Sequence, residues 1–327
     1  MTTKGTFSQA VSASVRALFD LGVSELPSKI YGSELFSTFS PAAPAQQLTN
    51  ISGPAYGILT AEGAEYGENA LYKGYPYTLS LRKFTSKLSW TEESIHFIAE
   101  QKKSGVKDFF TFSNPVTHAL NALTGSINLE LAKVFYLGFG TTNFTPGDAE
   151  ALFSNAHPIR RDGSTSANMF ATTHDPLSVD ALKTALDRMN RAKSHNGVQF
   201  RPVKRFRLVV PVELEAKAYQ ILDSVYGPSA NLPLSLTSAN IMEKRGIPDR
   251  GVVSLPDIPA AYSTYWFVVD LDRAQDQLWM AQAWAPRMAD ETHVESGVFT
   301  NNCSCLIQFV ATHWAAFFGS KGDSTAV

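Results

Sequence analysis

The side chains best suited to acid–base or metal chemistry in this 327-residue chain are its seven histidines. They are His96, His118, His157, His174, His195, His293 and His313. None has the His-Glu-x-x-His spacing that sets two metal ligands on one helix face, and neither a GxxxxGKS/T phosphate loop nor a GxSxG serine motif occurs. The sequence therefore predicts no catalytic residue, metal ligand or cofactor, and we expect a protein that is not an enzyme. Because catalytic triads assemble from distant positions, a soluble hydrolase that uses His157 or His174 with a carboxylate remains an alternative.

A basic cluster is the clearest concentration of charge. Between residues 183 and 207 there are eight cations and one acidic residue, Asp187. Such a run is typical of a solvated helix face with inter-subunit ion pairs. It also suits sequence-independent contact with a polyanion, whose affinity would fall steeply with salt. Six of these residues are candidates for facing DNA: Arg188, Arg191, Lys193, Arg201, Lys204 and Arg205.

A second charge pattern lies in a predicted long β-hairpin over residues 52–90. Acidic side chains precede its turn region and basic side chains follow it. The inter-subunit contact candidates are Glu62, Glu65, Glu68, Lys73, Arg82 and Lys83, and Lys87 continues the basic run. The apolar parity also changes near Arg82, which predicts a bulge or a strand that leaves one surface and joins another. The hairpin is either simply solvated or docks on a neighbouring subunit through complementary charge.

The elements that must position these charges follow from hydrophobic periodicity. Apolar residues recur at steps of three and four from Val116 to Val134, which predicts a helix over residues 115–137. Ser178 is expected to cap a second helix, and the Ser89-x-x-Glu92 pattern is that of a capping box. Strands are predicted over residues 207–212, 251–255, 265–270, 278–284 and 298–310, so the fold class is α+β. Residues 1–51 have little periodicity and are expected to form an extended arm.

Composition describes an ordinary globular chain. It has 28 basic and 30 acidic residues and 44% hydrophobic residues, so its net charge draws it neither to nucleic acid nor to a membrane. The two cysteines, Cys303 and Cys305, are expected to be reduced thiols. Residues 297–320 contain no charged side chain, but polar residues such as Asn301 and Gln308 favour a buried strand over a membrane span. We see no signal peptide.

Two stretches of the chain resemble a known family. They are ALFSNAHPIRRDGSTSANMF, which begins at Ala151, and LSVDALKTALDRMNRAKSHNGVQFRPVKRFRLVVPVELEAKAYQILDS, which begins at Leu177. Together with the ending HWAAFFGSKG they resemble major capsid proteins of tailed bacteriophages, in the branch related to the Mu-type major head subunit, with the Hong Kong 97 phage-type capsid fold. The likeness covers roughly residues 90–322, whereas the arm and hairpin agree in layout only.

The resemblance implies a division of the chain. Residues 1–51 would be an N-terminal arm, and residues 52–88 an extended β-hairpin loop. Residues 89–199 would be a peripheral domain with a spine helix over residues 115–137. Residues 200–295 would be an axial domain, and residues 296–327 a C-terminal return to the peripheral domain. The arm and hairpin would then bury their apolar surface on another copy.

The resemblance also implies a function. The chain would be a structural head protein that self-assembles into hexamers and pentamers of an icosahedral shell around double-stranded DNA. Its expected partners are copies of itself, a scaffold protein, a portal protein, cement proteins in some shells, and packaged DNA, with no membrane. We expect it in the virion capsid after assembly in the host cytoplasm. The nearest alternative is an encapsulin-like nanocompartment shell of the same fold with a protein cargo.

Overall fold

The computed structural model describes most of the chain. The described residues are 16–17, 19–21, 23–24, 26–52, 65, 72–91, 93, 113–142, 144–159, 163–223, 247, 249–293 and 298–326. Within these ranges the α-helices are α1 (Leu26–Lys29), α2 (Ser113–Tyr136), α3 (Val179–Arg191), α4 (Val212–Asp223) and α5 (Leu271–Gln277). The strands are β1 (Ser37–Phe39), β2 (Ala45–Ser52), β3 (Tyr72–Ser80), β4 (Arg82–Thr91), β5 (His157–Pro158), β6 (Thr165–Ser166), β7 (Arg205–Val210), β8 (Asp249–Ser254), β9 (Trp266–Asp270), β10 (Leu278–His293), β11 (Val298–Ala311) and β12 (Phe317–Ser320). The α+β class is confirmed.

The first four-stranded sheet has the order β1-β10-β11-β4. Its centre is the long antiparallel pair of β10 and β11, and β4 lies antiparallel along the other side of β11. β1 adds a short parallel edge to the start of β10. One face of this sheet carries Phe84, Leu88, Cys303 and Cys305, which pack against α2.

The predicted change of surface near Arg82 is confirmed. β3 pairs with β2 and ends at Ser80, whereas β4 begins at Arg82 and pairs with β11. Leu81 between them donates its amide hydrogen to Pro44 O. The hairpin whose strands are described is therefore β2–β3, and the intervening residues that carry its turn lie mostly outside the described residues. Side chains of β3 such as Leu79 pack against Ala281 and Val310, away from the α2 face.

The helix predicted over residues 115–137 is confirmed as α2. Every member of the predicted apolar stripe is buried: Val116, Leu120, Leu123, Ile127, Leu131 and Val134. The first half of the stripe packs on the β4 and β11 face, and Phe19 belongs to the same apolar cluster. The second half packs among side chains of the second sheet, including Phe267 and Phe317. One helix thus supports both sheets.

The second four-stranded sheet has the order β12-β9-β7-β8. α3 and α4 cover it with an apolar cluster that includes Leu182, Leu186 and Ile221. The predicted cap of α3 is confirmed, because the Ser178 hydroxyl accepts a hydrogen bond from the Ala181 amide at 3.1 Å.

Three expectations need correction. Ser89 does not cap a helix, because it lies within β4 opposite Thr300, and the pairing with β11 continues to Thr91. The expectation that residues 1–51 have no core within their own chain is wrong for the described part, because Phe19 and Leu35 are fully buried there. Strand pairing also cuts across the expected domain boundaries. β10, within residues 200–295, joins the sheet under α2, and β12, within residues 296–327, joins the second sheet.

The charge-free segment is confirmed as buried strands. Residues 297–320 supply β11 and β12, and both cysteines lie in β11 as buried free thiols. Burial raises the pKa of Cys305 to about 11, which keeps the thiol protonated at neutral pH. Among the described residues, no helix is long and apolar enough to cross a membrane.

The α2 contact predicts a contrast between two leucines of the same helix. Leu123→Ala should lower the free energy of unfolding by about 3 kcal/mol, because it leaves a cavity between α2 and β11. Leu129→Ala should cost less than about 1 kcal/mol, because Leu129 is 37% exposed. Urea denaturation of the unassembled subunit measures both. Equal losses in the two variants would contradict the assigned helix face.

Candidate functional site

The predicted inter-subunit residues that the structure describes do not converge on one spot. Lys73 is exposed on β3, whereas Arg82 and Lys83 are exposed on β4 in a different sheet. Glu65 is exposed, and Glu62 and Glu68 lie outside the described residues. Arg82 already has a partner within the chain, because its guanidinium lies 3.5 Å from the buried Glu130 carboxylate of α2. These roles therefore stay predictions.

A row of exposed cations lies on the first sheet. Lys83 and Lys87 are exposed on the face of β4 opposite Phe84 and Leu88. Arg287 of β10 pairs with Ser304, which in turn pairs with Thr85 of β4, so Arg287 shares this face. We name Lys83, Lys87 and Arg287 the basic sheet face. Its Arg287 guanidinium lies 4.1 Å from the centre of the Trp284 ring, a cation–π contact that orients the side chain.

The basic cluster divides into engaged and exposed cations. Arg188 donates to Met169 O at 2.8 Å, and Arg205 pairs with Asp249 at 2.8 Å and with Asp272 at 3.3 Å. Four of the six predicted DNA-facing residues are exposed at the surface between α3 and β7: Arg191, Lys193, Arg201 and Lys204. Arg188 and Arg205 are the less suitable members of the predicted set, because their guanidinium groups are committed to contacts within the chain.

Arg205 and its neighbour Arg207 belong to an ion-pair network that joins distant segments. Arg207 binds both carboxylate oxygens of Glu34, at 2.6 and 2.8 Å, and also donates to Asp249 at 2.7 Å. The hydrogen bonds that Arg207 donates to Glu34, and then the one it donates to Asp249, raise the pKa of Arg207. The hydrogen bonds that Asp249 accepts from Arg205 and Arg207 lower the pKa of Asp249. The network fixes the segment before β1 to β7 and β8. No sequence motif predicts the Glu34–Arg207 pair, because the two residues are 173 positions apart.

A buried polar centre surrounds His157, which is fully buried. Its Nδ1 lies 2.8 Å from Asp148 Oδ2, and its Nε2 lies 3.2 Å from Asn168 Oδ1. Asn168 is oriented by donating to Leu152 O at 2.7 Å and to Trp314 O at 3.3 Å. Both ring nitrogens therefore lie within hydrogen-bond distance of a side-chain oxygen. The Trp314 indole stacks on the same ring, with centroids 4.6 Å apart and planes 7° from parallel.

This His–Asp pair does not have the form of a catalytic dyad. The sequence offered His157 or His174 with a carboxylate, and the structure does give His157 one in Asp148. However, its second ring nitrogen is occupied by Asn168 rather than by a nucleophile, and Trp314 covers the ring face. Burial lowers the pKa of His174, and the charge of Lys321 adds to that effect. Among the described residues, no group of histidine, cysteine and carboxylate side chains is arranged to hold a metal ion.

The geometry instead gives His157 a structural role, in which its ring links separate segments of the chain; we call this link the His157 tie. It connects Asp148, Asn168 and Trp314, three residues that no sequence motif linked in advance. The only sequence signal was the motif SNAHPIRRDGSTSANMF, in which both His157 and Asn168 occur.

The buried pair predicts a large and specific loss of stability. Asp148→Ala should lower the free energy of unfolding by about 1–3 kcal/mol, because it leaves Nδ1 of the buried imidazole without its hydrogen-bond partner. Asp148→Asn should lose less, because an amide oxygen can still accept from Nδ1–H. Asp276→Ala removes an exposed carboxylate and should change the value by less than about 0.5 kcal/mol. Urea denaturation compares the three, and a loss at Asp148 no larger than that at Asp276 would refute the His157 tie.

Comparison with known proteins shows which family the chain resembles. A family model described as phage capsid protein matches residues 76–293, well over half of the chain. No curated protein matches the chain in sequence. The Mu-type branch is not distinguished by the family model and stays a prediction.

Solved structures resemble the chain in fold. The capsid of the cyanophage P-SCSP1u matches with a TM-score of 0.52 and 11% identity, over 87% of this chain and 85% of that chain. A virus-like particle from Pyrococcus furiosus matches with a TM-score of 0.51 and 9% identity, over 94% and 98%. The capsid of an empty GTA particle matches with a TM-score of 0.50 and 12% identity, over 89% of both chains.

The family match and the shared fold agree with the resemblance seen in the sequence. At these identities the structural likeness shows the fold alone, which is the Hong Kong 97 phage-type capsid fold. The family model supports the function. The chain therefore belongs to the phage capsid protein family, as a structural major capsid protein of the virion.

Proposed function

We propose that the chain is the repeating shell subunit of a tailed-phage head, which assembles into hexamers and pentamers around double-stranded DNA. The observation that carries the proposal is the family match over residues 76–293. A subunit with separate contact surfaces meets the next copy through unlike patches, and such heterologous contacts close into rings. The phage family model favours this function over an encapsulin-like shell with a protein cargo. A scaffold protein, a portal protein, cement proteins and assembly in the host cytoplasm belong to the same proposal.

The proposed domains follow the division expected from the sequence, with changes that are based on the strand order of the two sheets. The arm ends before β2, and the extended loop begins at Ala45 rather than at residue 52, since β2 is its first described strand. The peripheral domain comprises α2 with β4, β10 and β11, because these elements share one sheet and one apolar layer. The axial domain comprises α3, α4 and the sheet β12-β9-β7-β8.

The β2–β3 hairpin is the element that we propose contacts the next copy. The segment between its strands contains Glu62, Glu65 and Glu68 and no lysine or arginine up to Lys73. The basic sheet face carries the opposite charge, and its three cations are exposed. Complementary charge of this kind sets register and rejects wrong partners more than it adds affinity.

Charge reversal tests the contact between the hairpin and the basic sheet face. Glu65→Lys with Glu68→Lys should reduce the assembled fraction about tenfold or more, because like charges then face each other. Size-exclusion chromatography and electron microscopy measure the assembled fraction, and urea denaturation checks that the subunit stays folded. Lys217→Glu, at an exposed position of α4, serves as the surface control.

The reciprocal variant makes the test specific. Lys83→Glu with Lys87→Glu should also impair assembly, and the combination of all four reversals should restore part of it. If each pair of reversals impairs assembly but the combination of all four does not restore it, the acidic segment contacts a surface other than the basic sheet face. Unchanged assembly in the Glu65 and Glu68 variant would mean that the hairpin is only solvated.

DNA contact is proposed for the exposed part of the basic cluster, Arg191, Lys193, Arg201 and Lys204. Arg191→Gln with Lys193→Gln should weaken binding to linear double-stranded DNA and reduce the magnitude of the negative slope of log K against log salt by about 2. Lys83→Gln with Lys87→Gln removes equal charge from the basic sheet face and should leave the slope unchanged. Fluorescence anisotropy at several salt concentrations measures both. A reduced slope in the second variant alone would move the DNA contact to the sheet.

A further inference from the structure

A pair of buried histidines lies beneath the base of the β2–β3 hairpin. His195 and His313 are 5% and 3% exposed, and their ring centroids are 4.7 Å apart. Tyr75 of β3 packs its ring edge-on against His195 at 5.4 Å. The pair therefore lies between the hairpin and the body of the subunit, outside the surfaces proposed for assembly and DNA contact.

Hydrogen bonding fixes the protonation form of His313. Its Nδ1 accepts a hydrogen bond from the Ala315 amide at 3.0 Å, and its Nε2 is buried without a hydrogen-bond partner. The ring is therefore neutral, with its single proton on Nε2. A second proton would have to enter at Nδ1, where it would point at the amide hydrogen of Ala315 and break that bond.

The charges around His313 oppose a second proton as well. Arg273 of α5 donates to Ala315 O at 3.0 Å, and His157 and His195 are the other ionisable groups that act on the ring. Two of these three groups are themselves paired with carboxylates, since Asp148 pairs with His157 and Asp270 pairs with Arg273. Burial, and then these three basic groups, lower the pKa of His313 well below 6.5.

The hairpin rests directly on this cluster. Gly147 has a positive φ of 84°, and a side chain there would come within 2.6 Å of Pro76 O in β3. The next residue, Asp148, holds His157, whose ring stacks on the Trp314 that follows His313. β3 also donates from the Ser80 amide to the Gln308 side chain at 2.8 Å. These contacts connect His313 to Tyr75 through His195, and to Pro76 through Trp314, His157 and the 147–148 segment.

We propose that His195 and His313 form an acid-sensitive latch, which holds the base of the β2–β3 hairpin on the subunit and opens when His313 takes up a proton. The opened form binds this proton near pH 6.5, whereas the closed form binds it only at lower pH. The closed junction is therefore fully stable above about pH 6.5 and loses stability as the pH falls below that value. The latch is a property of the single subunit and does not rest on the proposed assembly.

Amide hydrogen exchange of the full-length, unassembled subunit tests the latch. Between pH 7.5 and 5.5 the opening constant at the Ser80 and Ala315 amides should rise about tenfold, after correction for the intrinsic exchange rate at each pH. His313→Asn places an amide oxygen where Nδ1 accepts from Ala315 and cannot titrate, so it should show less than a twofold rise. His118→Asn makes the same substitution at an exposed histidine of α2 and should respond like the native chain.

The outcome is decisive in either direction. Equal pH responses in the native chain and His313→Asn, or no response in the native chain, would overturn the latch. If His313→Asn does not fold, histidine-labelled native protein gives the same answer by nuclear magnetic resonance. The midpoint at which the His313 ring signal titrates should then match the midpoint of exchange at Ser80. Titration of the ring with unchanged Ser80 exchange would exclude the proposal.

Discussion

The contact on which this subunit depends is the burial of one face of α2. Its apolar stripe begins on β4 and β11 at Val116 and ends among Phe267 and Phe317 of the second sheet. A helix of 24 residues is about 36 Å long, enough to lie under both sheets. Each sheet alone has a large apolar face to cover, and α2 covers part of both. The relative position of the two sheets, and of every surface loop they carry, follows from that shared support.

Burial of α2 also explains the course of the chain before it. The strand that leaves the β2–β3 hairpin must present Leu79 to one apolar layer and Phe84 to another. Because side chains alternate along a strand, such a change requires a break in pairing, and the break occurs at Leu81. Among the described residues of the hairpin, Tyr75 contacts His195, Pro76 lies against Gly147, and Leu79 packs on the first sheet.

Charged residues in this protein serve two different purposes. Arg205, Arg207 and Arg273 are held by carboxylates or backbone carbonyls and tie together segments that are distant in sequence. Lys83, Lys87, Arg191 and Lys204 are exposed and are available to a neighbouring copy or to a polyanion. Sequence alone placed Arg188, Arg205 and Arg191 in one group because they are close along the chain. The distinction between them depends on Met169 O, Asp249 and Asp272, which only the fold brings near.

The sequence by itself determined the features that depend on interactions between residues close together in the chain. The α2 stripe, the Ser178 cap, the buried strands of residues 297–320 and the change of parity near Arg82 were readable because each depends on neighbours within a few residues. Family membership was also readable from the motifs after Ala151. Long-range pairing decided the rest. Ser89 has the pattern of a helix cap but lies in β4 because β11 offers it a strand partner, and Phe19 is buried because α2 and β11 form a surface for it. The His157 centre, the His195–His313 contact and the split of the basic cluster arise from residues far apart in sequence, whose proximity no periodicity encodes.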